Sequence, residues 1–391
     1  MAITTRPVLI VGGGIGGLTA SIALAERGLD TTVLERSTFA EESGAGIQLG
    51  PNATRLLRAL GVLEAIAPSA FRPEAIWVFD GLTGRRLTSV PLGSQAEARY
   101  GAPYLTLHRA DLHAALLSAC KARGAIALTP GFAVAGVEAR DEAVAAVGID
   151  GARTEGSAVL GADGLWSDVR NAVAPGASLR PTSATASRAL LPLGGMPSPF
   201  DAPVVGLWLG PRAHLVHYPV RSGEALNVVA VTDGGDDAEG WNRSADREAL
   251  LCGFTGWCKE SKSLLERAEG WRAWSLYRLA PLPRWSRGRV ALLGDAAHPV
   301  LPFLAQGAAL AIEDAVALAA TLAETPADPA AAFRRYEDAR RPRASRVQRQ
   351  SKRFGRLYHL RGPARLARNF ALARRTERTA LDRFDWLYGE A

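Results

Sequence analysis

The apolar pattern begins with Val8-Leu9-Ile10-Val11, an unbroken run that suits a strand buried on both faces of a parallel sheet. A cluster of glycines follows, Gly12-Gly13-Gly14-Ile15-Gly16-Gly17, and residues 18–27 then read as an Ala/Leu-rich helix stopped by Gly28. A second apolar run, Thr31-Thr32-Val33-Leu34, ends in Glu35-Arg36 and completes a β-α-β unit. Further along, residues 108–123 read as a helix, 159–163 as a buried strand entering a turn, and 289–293 as another buried strand. Residues 306–322 form an apolar, Ala-rich helical stretch that carries Glu313-Asp314, and the helical pattern of 333–378 is studded with arginine.

The middle of the chain differs. Around residues 75–92 and again 189–232, short β-rich runs alternate with Gly and Pro, the pattern of a mixed or antiparallel sheet in a second lobe. With 391 residues, 48% hydrophobic and 22% charged, the chain has the composition of a globular protein with more than one core. Its formal charge of +7 favours anionic partners. Three cysteines, Cys120, Cys252 and Cys258, are too few for a disulfide framework and form no C-x-x-C pair. No apolar run has the ~18 residues of a membrane helix, and the N-terminal stretch lacks the basic start of a signal peptide. The expectation is a cytoplasmic protein.

The glycine cluster carries chemistry. A dinucleotide turn needs Gly for a tight bend, for close approach of backbone to pyrophosphate, and for helix-sheet contact; Gly12, Gly14 and Gly17 stand at those places. Ile15 and Gly16 open the helix whose N–H groups and dipole face the phosphates. Glu35 falls where an acid accepts from ribose hydroxyls. Arg36 reaches the adenosine phosphates or is simply solvated. A nicotinamide dehydrogenase explains these first fifty residues equally well.

Two later segments separate the readings. Gly161-Ala162-Asp163-Gly164-Leu165-Trp166-Ser167-Asp168-Val169-Arg170 and Gly294-Asp295-Ala296-Ala297-His298-Pro299 resemble the signatures of the single-component flavin-dependent aromatic hydroxylases. The family includes p-hydroxybenzoate, salicylate and 3-hydroxybenzoate 6-hydroxylases. With the glycine turn, the motifs keep the family's order and spacing over nearly the whole chain. The resemblance implies an α/β fold: a Rossmann-like FAD-binding domain of glutathione reductase type, an interleaved mixed-sheet substrate domain and a C-terminal helical segment. The expected division assigns residues 1–74, 101–180 and 276–335 to the FAD-binding domain and 75–100 and 181–275 to the substrate domain. Residues 336–391 are the helical region.

The resemblance further implies FAD as cofactor, NADH or NADPH as transient co-substrate and O2 as oxidant, with oxygen transferred from a flavin C4a-hydroperoxide to an electron-rich ring. Asp295 would bind the ribityl chain, Arg109 the region of the flavin and its pyrophosphate, and Asp163 both FAD and nicotinamide. Gly307 and Ala308 would turn a helix N-terminus to the flavin pyrimidine edge. Where the family has Gly-Gln-Gly, this chain has Ala305-Gln306-Gly307, and Pro302 stands where one branch has glutamine. Gln48, after Gly44-Ala45-Gly46-Ile47, is a candidate for contact with flavin or substrate.

A phenol is attacked best as phenolate, which calls for a base. In His214-Leu215-Val216-His217-Tyr218, strand alternation puts His214, Val216 and Tyr218 on one face and His217 on the other. The His-x-x-x-Tyr spacing resembles that of the 3-hydroxybenzoate 6-hydroxylase branch. His214 and Tyr218 are therefore the catalytic candidates, against the alternative of strand residues bonded for structure alone; His217 reads as structural or surface. His298-Pro299 and Pro302-Phe303 are expected to line the pocket. Arg86, Arg188 and Arg212 are equal candidates for the substrate carboxylate. The arginine-rich end has neither stacking platforms nor a reader motif for nucleic acid, and suits helices packed on the FAD lobe or in a homodimer. The expectation is a monooxygenase acting on a phenolic or heteroaromatic acid of salicylate, hydroxybenzoate or hydroxynicotinate type. An epoxidase or reductase on the same scaffold is the alternative.

Overall fold

The computed structural model describes residues 6–39, 45–139, 143–234, 243–376 and 379–389. Its first layer is a six-stranded sheet in the order Ser286–Arg287, Val290–Leu292, Ala158–Gly161, Val8–Val11, Thr31–Glu35, Ile126–Pro130. The central strands are parallel: Val8 stands beside both Ala158 and Thr31. Every residue of Val8–Val11 and of Ala158–Gly161 is buried, because helices cover one face and a small antiparallel sheet (Val134–Ala139, Val144–Gly148, Arg153–Gly156) lies to the other side.

Helix Ile15–Ala25 is buried along most of its length, which explains its lack of a polar face. It packs against helix Gly307–Glu324; Leu18, Ile22, Ile312 and Leu318 all belong to one core. The last strand of the layer, Val290–Leu292, delivers the chain to Gly294-Asp295 at the same sheet edge as the glycine turn.

The second layer is an eight-stranded sheet, ordered Arg243–Ser244, Arg272–Leu279, Leu179–Pro192, Ala225–Asp233, Ala213–Val220, Val204–Gly210, Ala75–Asp80, Arg86–Pro91. It is mixed, since Val204–Gly210 and Ala75–Asp80 run parallel while their other neighbours run antiparallel. One face holds a core around Trp208, Phe254, Trp257 and Trp271. The other looks back toward the nucleotide layer. Strands Leu179–Pro192 and Arg272–Leu279 run through the expected boundaries at 180/181 and 275/276, since Leu179 still pairs with Leu279. A small antiparallel pair, Gly46–Leu49 with Leu105–His108, lies between the two large sheets.

Helix Pro329–Tyr358 continues through Pro342 and across the expected boundary at 335/336. Its buried Phe333 and Tyr336 join the nucleotide-layer core, so packing outweighs the hydrogen bond that Pro342 cannot donate. No helix among the described residues is long and apolar enough to cross a membrane.

Candidate active site

A cleft of about 610 Å³ opens between the two large sheets, within the range of small-molecule and cofactor sites. Its floor is the glycine turn. Gly12 has φ +106°, and a Cβ there would stand 2.5 Å from the Ala162 carbonyl oxygen. Gly17 lies under the turn, where a Cβ would meet the Gly12 carbonyl at 1.9 Å. Only glycine satisfies either contact. Gly14, Ile15 and Gly16 line the cleft, and the Gly14 N-cap makes no side-chain hydrogen bond to the helix. Helix Gly307–Glu324 also begins without a side-chain cap, with Gly307 and Ala308 at the cleft. Two helix starts thus offer amides and positive dipole ends to an anion.

The carboxylates around this floor are positioned by backbone. Glu35 lines the cleft beside Arg36 and takes the N–H groups of Gly13 at 2.6 Å and Ser37 at 2.8 Å, fixing the turn itself. Asp163 uses Oδ2 to accept from Asp168 and Val169 N–H, while its buried Oδ1 has no partner. Burial raises the Asp163 carboxyl above its ordinary value, which Ser167 and the backbone amides oppose. Asp295 faces the cleft, and the surrounding protein raises its carboxyl too, against the opposing charges of His298, Arg109 and Arg170. An unpartnered Asp163 oxygen, two open helix starts and a turn that excludes any Cβ fit a diphosphate-linked dinucleotide such as FAD.

Arg170 joins the later two segments. Its Nε donates to the Ala296 carbonyl at 2.8 Å, and one terminal nitrogen donates to the carbonyls of Leu165 and Asp295. His113, on helix Arg109–Lys121, bonds the Gly13 carbonyl at 2.8 Å through Nε2. Neither role is visible in the sequence, because each depends on a contact a hundred or more residues distant.

The opposite wall is the eight-stranded sheet. His214, Val216 and Tyr218 all line the cleft, as strand alternation requires, and His217 points the other way. His217 is wholly buried against Phe200 and Trp208, so it lies in the core and not at the surface; burial lowers its pKa to about 3. Tyr218 is buried and its hydroxyl pushed up to about 12, with Arg188 opposing. Gln48 lines the cleft and accepts from the Tyr104 hydroxyl at 2.7 Å. Gly44, at the start of the Gln48 segment, lies outside the described residues.

Of the three candidate arginines, Arg188 alone lines this cleft. It stands beside Val229, which stands beside Val216, so its position in the sheet falls between those of His214 and Tyr218. Its Nε is shut off from solvent without a partner, and its guanidinium carbon lies 5.1 Å from the Trp274 ring centroid. Arg86 lies over Trp77, and Arg212 reaches the Asp233 carbonyl.

Pro302 lines the cleft, but His298, Pro299 and Phe303 do not. His298 turns inward and meets Asp314 at 2.5 Å, drawn by a buried carboxylate that also takes the Gly294 N–H. The Pro299 carbonyl accepts from Gln348. Phe303 stands behind His214, with ring centroids 5.3 Å apart. These three back the wall.

The FAD binding domain family matches residues 5–351. The chain is 36% identical over 384 residues to 3-hydroxybenzoate 6-hydroxylase 1 of Aquipseudomonas alcaligenes, covering 98% of this chain and 97% of that one. It is 39% identical over 394 residues to the 3-amino-4-hydroxybenzoate 2-monooxygenase PtnB3 of Streptomyces platensis, covering 99% and 96%. The chain belongs to the flavin-dependent aromatic hydroxylases. Among solved structures, Klebsiella pneumoniae HpxO complexed with FAD and uric acid is similar to this hydroxylase with a TM-score of 0.87 and 26% identity, over 98% of this chain and 97% of that one.

In this hydroxylase, Asn227 accepts the Gly46 N–H at 2.7 Å and so ties the small antiparallel pair to the substrate sheet. A Cβ on Gly46 would fall 2.7 Å from the Tyr218 ring, which makes that glycine a condition for the position of Tyr218. His214 meets a residue the sequence did not suggest: its Nδ1 lies 2.9 Å from His359 Nε2.

Proposed function

We propose that this hydroxylase acts on a phenolic or heteroaromatic acid of hydroxybenzoate type, holding the carboxylate at Arg188 and turning the phenol O–H to His214. The observation that carries this reading is the Arg188 Nε, unpartnered on the same sheet face as His214 and Tyr218. A guanidinium suits a carboxylate because it offers paired donors in a fixed plane. His214 is neutral, since burial and the neighbouring His359 lower its pKa well below the ordinary value, and a neutral imidazole accepts the phenol proton. Val216, Val229, Val231 and Pro302 form an apolar surround that keeps water from the reacting ring.

FAD, when bound and reduced by NADH or NADPH, supplies the activated oxygen. On this reading residues within 1–74, 101–180 and 276–335 chiefly hold the cofactor and residues within 75–100 and 181–275 chiefly hold the substrate, with strands Leu179–Pro192 and Arg272–Leu279 crossing those bounds. Within the first group, Asp295 would bind the ribityl chain, Asp163 both flavin and nicotinamide, Arg109 the region of the flavin and its pyrophosphate, and Gly307 and Ala308 would present amides to the flavin edge. The test is NAD(P)H consumption by the FAD-loaded enzyme with a panel of hydroxybenzoates and hydroxynicotinates in air. The expected result is stimulation by at least one acid and a product heavier by one oxygen atom. Stimulation by none removes the substrate class, and product formed without oxygen points instead to a reductase.

A further inference from the structure

Where does a proton go once His214 has taken it? His214 is 3% exposed, and its ring is enclosed by Phe303, Tyr358 and His359 at centroid distances of 5.3, 5.4 and 5.1 Å. Its Nδ1 is committed to His359 Nε2 at 2.9 Å, which leaves Nε2 for the cleft. His359 is only half-buried, at the C-terminal end of helix Pro329–Tyr358. The pair therefore spans from the sheet wall of the cleft toward the protein surface.

The placement of His359 is held from several sides. Gly355 allows the helix to approach Phe303, where a Cβ would stand 2.6 Å from the ring. Tyr358 donates its hydroxyl to the Phe303 carbonyl at 3.1 Å, and the Arg212 N–H points to the His359 carbonyl. Around the imidazole stand Asp233 from strand Ala225–Asp233, Arg368 from helix Gly362–Ala373, the Phe303 ring at a centroid distance of 6.1 Å and His214 itself. Burial lowers His359 to about 4, Asp233 opposes that and Arg368 adds to it. Both rings are thus neutral near pH 7, each with one N–H donor and one acceptor nitrogen, so that one ring can donate to the other.

We propose that His359 is the outlet of a two-histidine proton wire that carries the substrate's phenol proton from His214 to solvent. This inference rests on the aromatic-acid reading above. The substrate O–H bond breaks as its proton binds His214 Nε2. The proton on His214 Nδ1 passes to His359 Nε2, and the proton on His359 Nδ1 leaves to water. One proton enters and one departs, with no electrons exchanged, and the return of a proton later in the cycle resets both tautomers. A glutamine would satisfy His214 Nδ1 equally well as a hydrogen-bond partner but cannot accept at one atom and release from another. That difference separates a wire from a structural bond. His359 acts through His214 and is a positioning and relay residue.

The test compares wild type, His359→Gln and His214→Asn as FAD-loaded enzymes. The probe is 3-hydroxybenzoate, or whichever panel acid stimulates wild type most. His359→Gln is expected to retain FAD and substrate affinity while kcat falls roughly 10- to 100-fold. Its pH profile should shift, and added imidazole buffer should restore part of the rate. An unchanged kcat and pH profile in His359→Gln, with His214→Asn inactive, overturns the wire and leaves the base intact. Full activity in His214→Asn overturns the base, and with it the reading beneath. Should His359→Gln lose flavin, His359→Ala with imidazole decides: restored turnover supports the wire and absence of restoration removes it.

Discussion

Behind the flavin side of the cleft, the buried charges of Arg170 and Asp314 are already engaged by protein. Arg170 spends its donors on four carbonyls of the two later segments, and Asp314 takes His298, Arg340 and the Gly294 N–H at once. On the sheet side, Arg188 Nε has no partner, and His214 has one nitrogen held from behind and the other turned to the cleft. The backing of the first wall is set before any ligand arrives. The second is finished by its ligand, which fits a shared cofactor facing a substrate that differs from one enzyme to the next.

The sharpest way to break this contrast is to remove the cation behind the flavin wall. Arg340 bonds Glu313 at 2.6 Å and Asp314 at 2.8 Å, with all three side chains at most 7% exposed. Arg340→Met leaves Asp314 with His298 and the Gly294 N–H as its partners, and the expected loss is about 3 to 5 kcal/mol of unfolding free energy. Burial by itself would raise the Asp314 carboxyl; His298 and Arg340 hold it at about 2, below its ordinary 3.8. A carboxyl lowered on folding stabilises above the unfolded value and loses that contribution as pH falls through the folded one. Wild type should therefore lose this term between about pH 4 and 2, and the variant should lose stability at higher pH. Urea titrations at several pH values measure both effects, and equal acid sensitivity would show that the network is not what holds the wall.

The sheet wall should respond in the opposite way. Arg188→Met removes a cation whose Nε is unpartnered, so stability should hold or rise slightly, while KM for a carboxylated phenol rises on the order of 10²-fold. KM for an uncharged phenol should change far less. A stability loss with KM unchanged would mean that Arg188 serves the sheet instead of the substrate.

This division also explains what the sequence made legible. The flavin wall is written in short segments where backbone geometry dictates residue type: Gly12 at φ +106°, Gly17 against the Gly12 carbonyl, Asp163 capping the turn before Val169. Such constraints are local and survive in one dimension. Strand alternation likewise placed His214 and Tyr218 together, since a period of two needs no tertiary knowledge. The choice of Arg188 over Arg86 and Arg212 depended on the register of Leu179–Pro192 against Ala225–Asp233, two strands about forty residues apart. His298 was misplaced because the pull of Asp314, sixteen residues on, is a tertiary fact, and His359 lay outside every motif.

The smallest effect probes the flavin wall's tolerance of strain. Ala305 sits at φ +52°, ψ +40°, left-handed geometry that costs a residue with a Cβ about 1 to 2 kcal/mol and that the family's glycine adopts freely. It precedes Gln306, whose side chain accepts from Asn52 and whose backbone opens the helix at Gly307. Ala305→Gly relieves the strain but gives the unfolded chain more freedom, an offset of about 0.4 to 1 kcal/mol. The net expectation is a gain of roughly 0.5 kcal/mol in urea unfolding. KM for the aromatic acid should stay unchanged, because the relieved strain belongs to the flavin side. A gain in stability accompanied by a shift in substrate KM would show that the two walls are coupled through this turn, and the separation drawn between them would fail there.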